Sequence, residues 1–364
     1  MSATPRYLLA PLLVLALLAG AVRDGVSAEI PSQGAYREWL QERARAEEKS
    51  ESANDAAMAA ALRQHLCAGD ESCFPKAAWR ALDERALRSG DPAILALAAN
   101  VASYRAGQTN LAKRWSKIAT IDRDNAYPLI MRAGAEWRAG QRAEAMATLK
   151  EAIARPDDYD YFAAAFRLFR PVIDAAPPSP DQLPPCTLES RDTVAPPSLA
   201  EARAWVLFEI VSDGAFPARL GDVNSICRDV PAAESQRLAT CAAVGAHMAR
   251  KAKSQLSRSL GLALQRSSAA PERRETIADQ QRSELDELHR KLWWVEDAPD
   301  ADRRAEANEF WLDQLSRVGE VAAADALIER FGEPPPEPRE QRESRQAKQM
   351  EKAQACYARI RHDN

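Results

Sequence analysis

Two stretches, Tyr104-Arg105-Ala106-Gly107-Gln108 and Trp137-Arg138-Ala139-Gly140-Gln141, share the pattern aromatic-Arg-Ala-Gly-Gln and lie 33 residues apart. The agreement continues downstream: Ala112 aligns with Ala145, Lys117 with Lys150, Ala119 with Ala152 and Asp124 with Asp157. Each copy reads as a helix, a tight turn at the glycine, a second helix and a polar turn. Alanine at matched places lets two antiparallel helices approach closely. A unit of this length cannot bury its own apolar face, so it stacks on its neighbours. The expected fold is therefore all-α, built of stacked antiparallel helix hairpins, followed by a second helical region.

The pattern resembles the tetratricopeptide repeat family. Over residues 125–158 the family's turn glycine matches Gly140, its small second-helix residue matches Ala145 and its later alanine matches Ala152. Pro156 stands near the family's closing proline. The sequence departs from the family at Arg132 and Ala133, and at Ala99 and Asn100 in the earlier copy, where leucine and glycine are preferred. The resemblance covers two units, 92–158. A third upstream is suggested because Trp79, Leu82 and Ala86 precede Ala112, Trp115 and Ala119 by 33 residues. It implies a concave surface that takes a protein or peptide partner, with no cofactor.

The first residues set the expected compartment. Arg6 precedes an apolar run from Leu8 to Val22, and Val26-Ser27-Ala28 offers small residues for cleavage before Glu29. That reads as a signal peptide, 1–28, sending the chain to the bacterial periplasm or outside the cell. The run is shorter than the roughly 20 residues that span a bilayer, and no other stretch is apolar enough. In an oxidising compartment the six cysteines suggest disulfides. Cys67 with Cys73 would staple a loop and Cys227 with Cys241 a helix junction; Cys186 and Cys356 are paired only by elimination. A metal site at His65, Cys67 and Cys73 lacks a fourth ligand.

Glycine is scarce, at 14 residues, and the net charge is −4 with both signs interleaved. That composition favours helix and gives no basic footprint for nucleic acid. Composition breaks suggest a repeat domain at 29–174, a Pro-rich linker at 175–197, a C-terminal helical domain at 198–332 and a charged tail at 333–364. In the C-terminal part Ser198-Leu199-Ala200-Glu201 is a capping box, and Gly319 marks the turn of a hairpin. No repeat aligns there.

Tyr159, Phe162, Phe166 and Phe169 share a helix face. They read either as core that closes the stack or as an aromatic contact for a ligand. Trp293 and Trp294 point about 100° apart on a helix, one as a core anchor and the other as a second candidate partner contact. No catalytic or metal-binding residues are expected. No phosphate loop, G-x-S-x-G elbow or H-E-x-x-H pair is present. His247 reads as a structural histidine, His289 as solvated, and Asp157, Asp158 and Asp160 as an ordinary acidic turn. These features favour an exported binding or scaffold protein. The alternative is an envelope enzyme or accessory factor acting on cell-wall polymer; of Glu-Ser pairs that could carry its signature, Glu189-Ser190 lies in the Pro-rich linker and Glu343-Ser344 in the charged tail.

Overall fold

A computed structural model gives the fold; it describes residues 34–67, 76–103, 108–179, 182–183, 198–212, 220–296, 298, 300–336 and scattered positions from 340 to 355. The leader, the first-copy motif at 104–107, Cys73, Cys186, Cys356, Glu189-Ser190 and Glu343 lie outside the described residues. Among the described residues there are fifteen helices and no strand. In chain order they are α1 (Gly34–Glu48), α2 (Ala53–Cys67), α3 (Lys76–Ser89), α4 (Pro92–Ser103), α5 (Gln108–Ile121), α6 (Tyr127–Arg138), α7 (Arg142–Ile153) and α8 (Phe162–Ala175). Then follow α9 (Leu199–Ile210), α10 (Leu220–Cys227), α11 (Ser235–Lys251), α12 (Gln255–Ser268), α13 (Pro271–Glu296), α14 (Ala301–Val318) and α15 (Glu320–Phe331).

Consecutive helices from α1 to α7 pack against one another in turn. In the second copy Gly140 turns the chain between α6 and α7 at φ +80°, a conformation that glycine adopts without a Cβ penalty. The matched positions of the two copies share their environments. Ala112, Ala119, Ala145 and Ala152 are all buried, while Lys117, Lys150, Asp124 and Asp157 are all exposed. The 33-residue spacing thus reproduces the same inward and outward faces twice.

The C-terminal half is also built of hairpins. Ser198 caps α9 as expected: its Oγ accepts from the Glu201 N–H at 3.2 Å, and the Ser198 N–H donates to Glu201 Oε2 at 2.7 Å. The α11–α12 hairpin packs closely along Gly245 and Gly261. Gly319, at φ +90°, turns α14 into α15. The Cys227–Cys241 disulfide joins α10 to α11. Cys67 is buried and also disulfide-bonded.

The core runs through both halves. One cluster joins α1–α6 and α8 to α9, α13, α14 and α15, and includes Leu183 from the Pro-rich stretch. A second joins Ala126, Ile130, Ala145 and Leu149 to Ile226, Val244, Met248 and Leu264. A buried ion pair reinforces the joint: Arg304 Nε on α14 donates to Glu201 Oε1 on α9 at 2.5 Å, and its Nη1 donates to the Ala298 carbonyl. Among the described residues no helix is long and apolar enough to cross a membrane.

Candidate functional site

Four inter-helix turns meet at one place. The α5–α6 turn and the α7–α8 turn end the two repeat copies, and they lie side by side. Asn125 forms a parallel bridge with Asp157. The Ala126 N–H donates to Asp157 O at 2.8 Å, and the Asp157 N–H donates to Asp124 O at 3.0 Å. Asn125 staples the pair: its Oδ1 accepts from the N–H groups of Tyr127 and Tyr159, and its Nδ2 donates to Tyr159 O and Asp122 Oδ2. The α11–α12 turn adds a third layer through a bridge from Asp158 to Ala252. The α14–α15 turn adds a fourth, where the Val321 N–H donates to Lys253 O at 3.2 Å.

Three carboxyls gather at this junction, those of the buried Asp158 and Asp160 and of the half-buried Glu320. Asp160 is buried and accepts from Ser254 Oγ, from Ser257 Oγ at 2.8 Å and from the Phe162 N–H at 3.3 Å. Glu320 turns its carboxylate inward to accept from the Gln255 N–H at 2.8 Å. Asp158 is 0% exposed, and among the described residues neither of its carboxyl oxygens meets a donor. Burial, with Asp160 adding to it, pushes the Asp158 carboxyl up to about 7. Burial first and Asp160 second also push Glu320 up to about 7, against its bond from Gln255. Burial raises Asp160 too, although Ser254, Ser257 and the Phe162 amide oppose the rise.

A surface cleft of about 270 Å³ lies elsewhere along the same helices. Its lining includes Trp137, Arg142, Met146 and Lys150 from the second repeat copy, and Glu234, Gln236 and Arg237 from the start of α11. The guanidiniums of Arg142 and Arg237 lie over the Trp137 ring, at 5.0 and 4.5 Å from its centroid. Arg237 is further fixed by donating to Ile226 O at 2.7 Å and to Glu234 Oε2 at 3.0 Å. Arg142 and Lys150 make no ion pair or side-chain hydrogen bond among the described residues. The cleft therefore offers an aromatic ring, three cations and one acid in a chain whose net charge is −4.

The residues singled out as possible partner contacts fall in three settings. Phe162 and Phe166 are packed in the core on α8, with ring centroids 5.0 Å apart. Tyr159 is half-buried; its hydroxyl donates to Asp122 Oδ1 at 2.6 Å and Lys253 lies over its ring. Trp294 is buried, donates to Gly332 O at 2.8 Å and packs at a tilt beside Phe331, while Trp293 is partly buried next to it. His247 is buried, consistent with a structural histidine; burial and Arg250 hold its pKa down. His289 is half-buried rather than solvated.

Two features escape a reading of the sequence alone. The acids at 158 and 160 look like a solvated turn, because Ser254, Ser257 and Glu320 that enclose them lie roughly 95 to 160 residues later in the chain. The aromatic of the second repeat motif is visible as Trp137, but Arg237 on the opposite wall is not. No protein-family model matches the chain, and comparisons with curated proteins and with solved structures return no match.

Proposed function

We propose that this chain is an exported, non-enzymatic binding or scaffold protein of the bacterial periplasm or cell exterior, and that the Trp137 cleft is where it holds a protein or peptide partner. The observation that carries this reading is the repeat motif's own aromatic, Trp137, set beneath two guanidiniums in a cleft shared by α6, α7 and α11. Stacked helical hairpins commonly present such surfaces to peptide segments. Tryptophan and arginine are also the residues that most often dominate binding energy at interfaces. The cations outnumber the acid, so the favoured partner segment is acidic. The tetratricopeptide-like spacing and the leader-like start support the same reading.

The experiment is a paired capture. Mature chain with intact disulfides is immobilised beside an Arg142→Glu, Lys150→Glu variant and exposed to a periplasmic extract, with circular dichroism confirming that both are folded. Proteins retained by the wild type and released from the variant are the expected result. The same proteins on both supports, or none on either, would overturn the reading.

A further inference from the structure

The four-turn junction gathers the carboxyls of Asp158, Asp160 and Glu320, the first two of them buried. None of these three acids forms an ion pair among the described residues. A buried carboxylate without a counter-charge costs several kcal/mol unless it takes up a proton. Nor is the place arranged for a cation: among the described residues no three His, Cys, Asp or Glu side chains are set to hold a metal ion.

The groups facing the cluster do not supply the missing charge. Tyr127 on α6 is buried and uncharged beside Asp158 and Asp160. His247 on α11 is held toward its neutral form. Arg250 and Lys251 at the end of α11 are exposed. Lys253 is exposed as well, with its ammonium over the Tyr159 ring, and the half-buried Arg258 on α12 donates its Nε to the Ala252 carbonyl at 3.1 Å rather than to a carboxyl of the cluster. On the turn side, Asp122, Asp124 and Asp157 are acids, and the Tyr159 and Tyr161 hydroxyls are both given to Asp122.

We propose that the junction is a pH-sensitive latch: with Asp158 and Glu320 protonated, the α11–α12 and α14–α15 turns close on the α7–α8 turn, and when those carboxyls ionise their repulsion around Asp160 loosens the three turns from one another. Proton uptake and release are the only chemical events required. The junction suits a two-state element because the α14–α15 turn is held by few bonds. Val321 N–H to Lys253 O and Gln255 N–H to Glu320 are the two hydrogen bonds that cross between the α11–α12 and α14–α15 turns among the described residues. α11 runs from the junction at Ala252 to the wall of the Trp137 cleft at Glu234, about 25 Å away. The latch itself does not depend on what that cleft binds.

Hydrogen exchange on the full chain tests the latch directly. Protection, corrected for the intrinsic pH dependence of exchange, is followed for the segments holding Gln255 and Val321, with the α6–α7 hairpin as reference. Between pH 5.5 and 8 we expect protection at the two turns to fall by about tenfold or more, with the reference unchanged. In Asp158→Asn, Glu320→Gln protein the two turns should stay protected throughout. Flat protection in the wild type, or an equal fall in the variant, would overturn the proposal. Should Asp158→Asn not fold, Glu320→Gln alone keeps an oxygen for the Gln255 N–H and must still shrink the fall; an unchanged fall in that variant overturns the proposal as well.

Discussion

Gly245 on α11 and Gly261 on α12 bring two helix backbones into direct contact: a Cβ on Gly245 would lie 2.6 Å from the Gly261 carbonyl oxygen, and one on Gly261 2.5 Å from the Ala249 nitrogen. The obstructing atoms are mainly backbone, which a rotamer change cannot move. Alanine at either position should force the hairpin apart and cost about 1–3 kcal/mol, as overpacking does. Gly221 is the control, since nothing lies within 4 Å of its Cβ position. Gly221→Ala, in the first turn of α10, should instead be neutral or stabilise by about 0.3 kcal/mol, because the full propensity difference applies to a helix interior. Urea unfolding of the three variants checks both signs.

The Cys227–Cys241 bridge spans 14 residues and both cysteines are fully buried. Closing a loop of that size should contribute about 3 kcal/mol by restricting the unfolded chain. Cys227→Ala, Cys241→Ala protein should therefore unfold at lower urea by a corresponding amount. A midpoint unchanged from wild type would show that the α10–α11 joint does not need its covalent tie.

Arg304 and Glu201 are both about 3% exposed at their side chains, so either one alone would be a stranded buried charge. Arg304→Met should cost about 3–5 kcal/mol. Replacing both with apolar residues should recover part of that loss, though not all, because Glu201 also closes the capping box with Ser198. A double-mutant cycle measured by chemical denaturation separates the two contributions.

Global stability should depend on pH in a stated direction. Asp158 rises from its ordinary 3.8, and Glu320 from 4.5, to about 7 in the folded chain. Between those limits the native state holds protons that the unfolded state has released, so stability falls as pH rises. The stability these acids allow is complete below about pH 4 and is lost by the time pH passes about 7. His247, held below its ordinary 6.5 by burial, opposes this near the upper part of the window. A urea midpoint that decreases between pH 5 and 7 is expected; one that increases over the same range would contradict the assignment.

Local signals in the sequence give much of this architecture. The Gly140 turn, the Ser198 capping box and the Gly319 hairpin each depend on residues within a few positions of one another. The matched alanines need only a single spacing. Phe162 and Phe166, by contrast, allow two readings, because a helix stripe says which residues share a face and not what covers it. The enclosure of Asp158 and Asp160 depends on Ser254, Ser257 and Glu320, which no local pattern connects to them. The contact of Gly245 with Gly261 is hidden in the same way: each glycine alone reads as an ordinary weak spot in a helix. Trp137 stands out in the sequence as a motif residue, but its cleft exists only because α11 lies beside α7.

Site-specific photocrosslinking from the cleft tests the central claim most directly. A photoreactive residue replaces Met146, between Trp137 and Lys150, and in a second protein it replaces the exposed Leu87. Illumination in the native envelope should give discrete, reproducible adducts from position 146 that disappear when Arg142 and Lys150 are both changed to glutamate. Adducts of equal pattern from positions 146 and 87, or none from 146 with the chain folded and in place, would contradict the assignment of this cleft as the working surface.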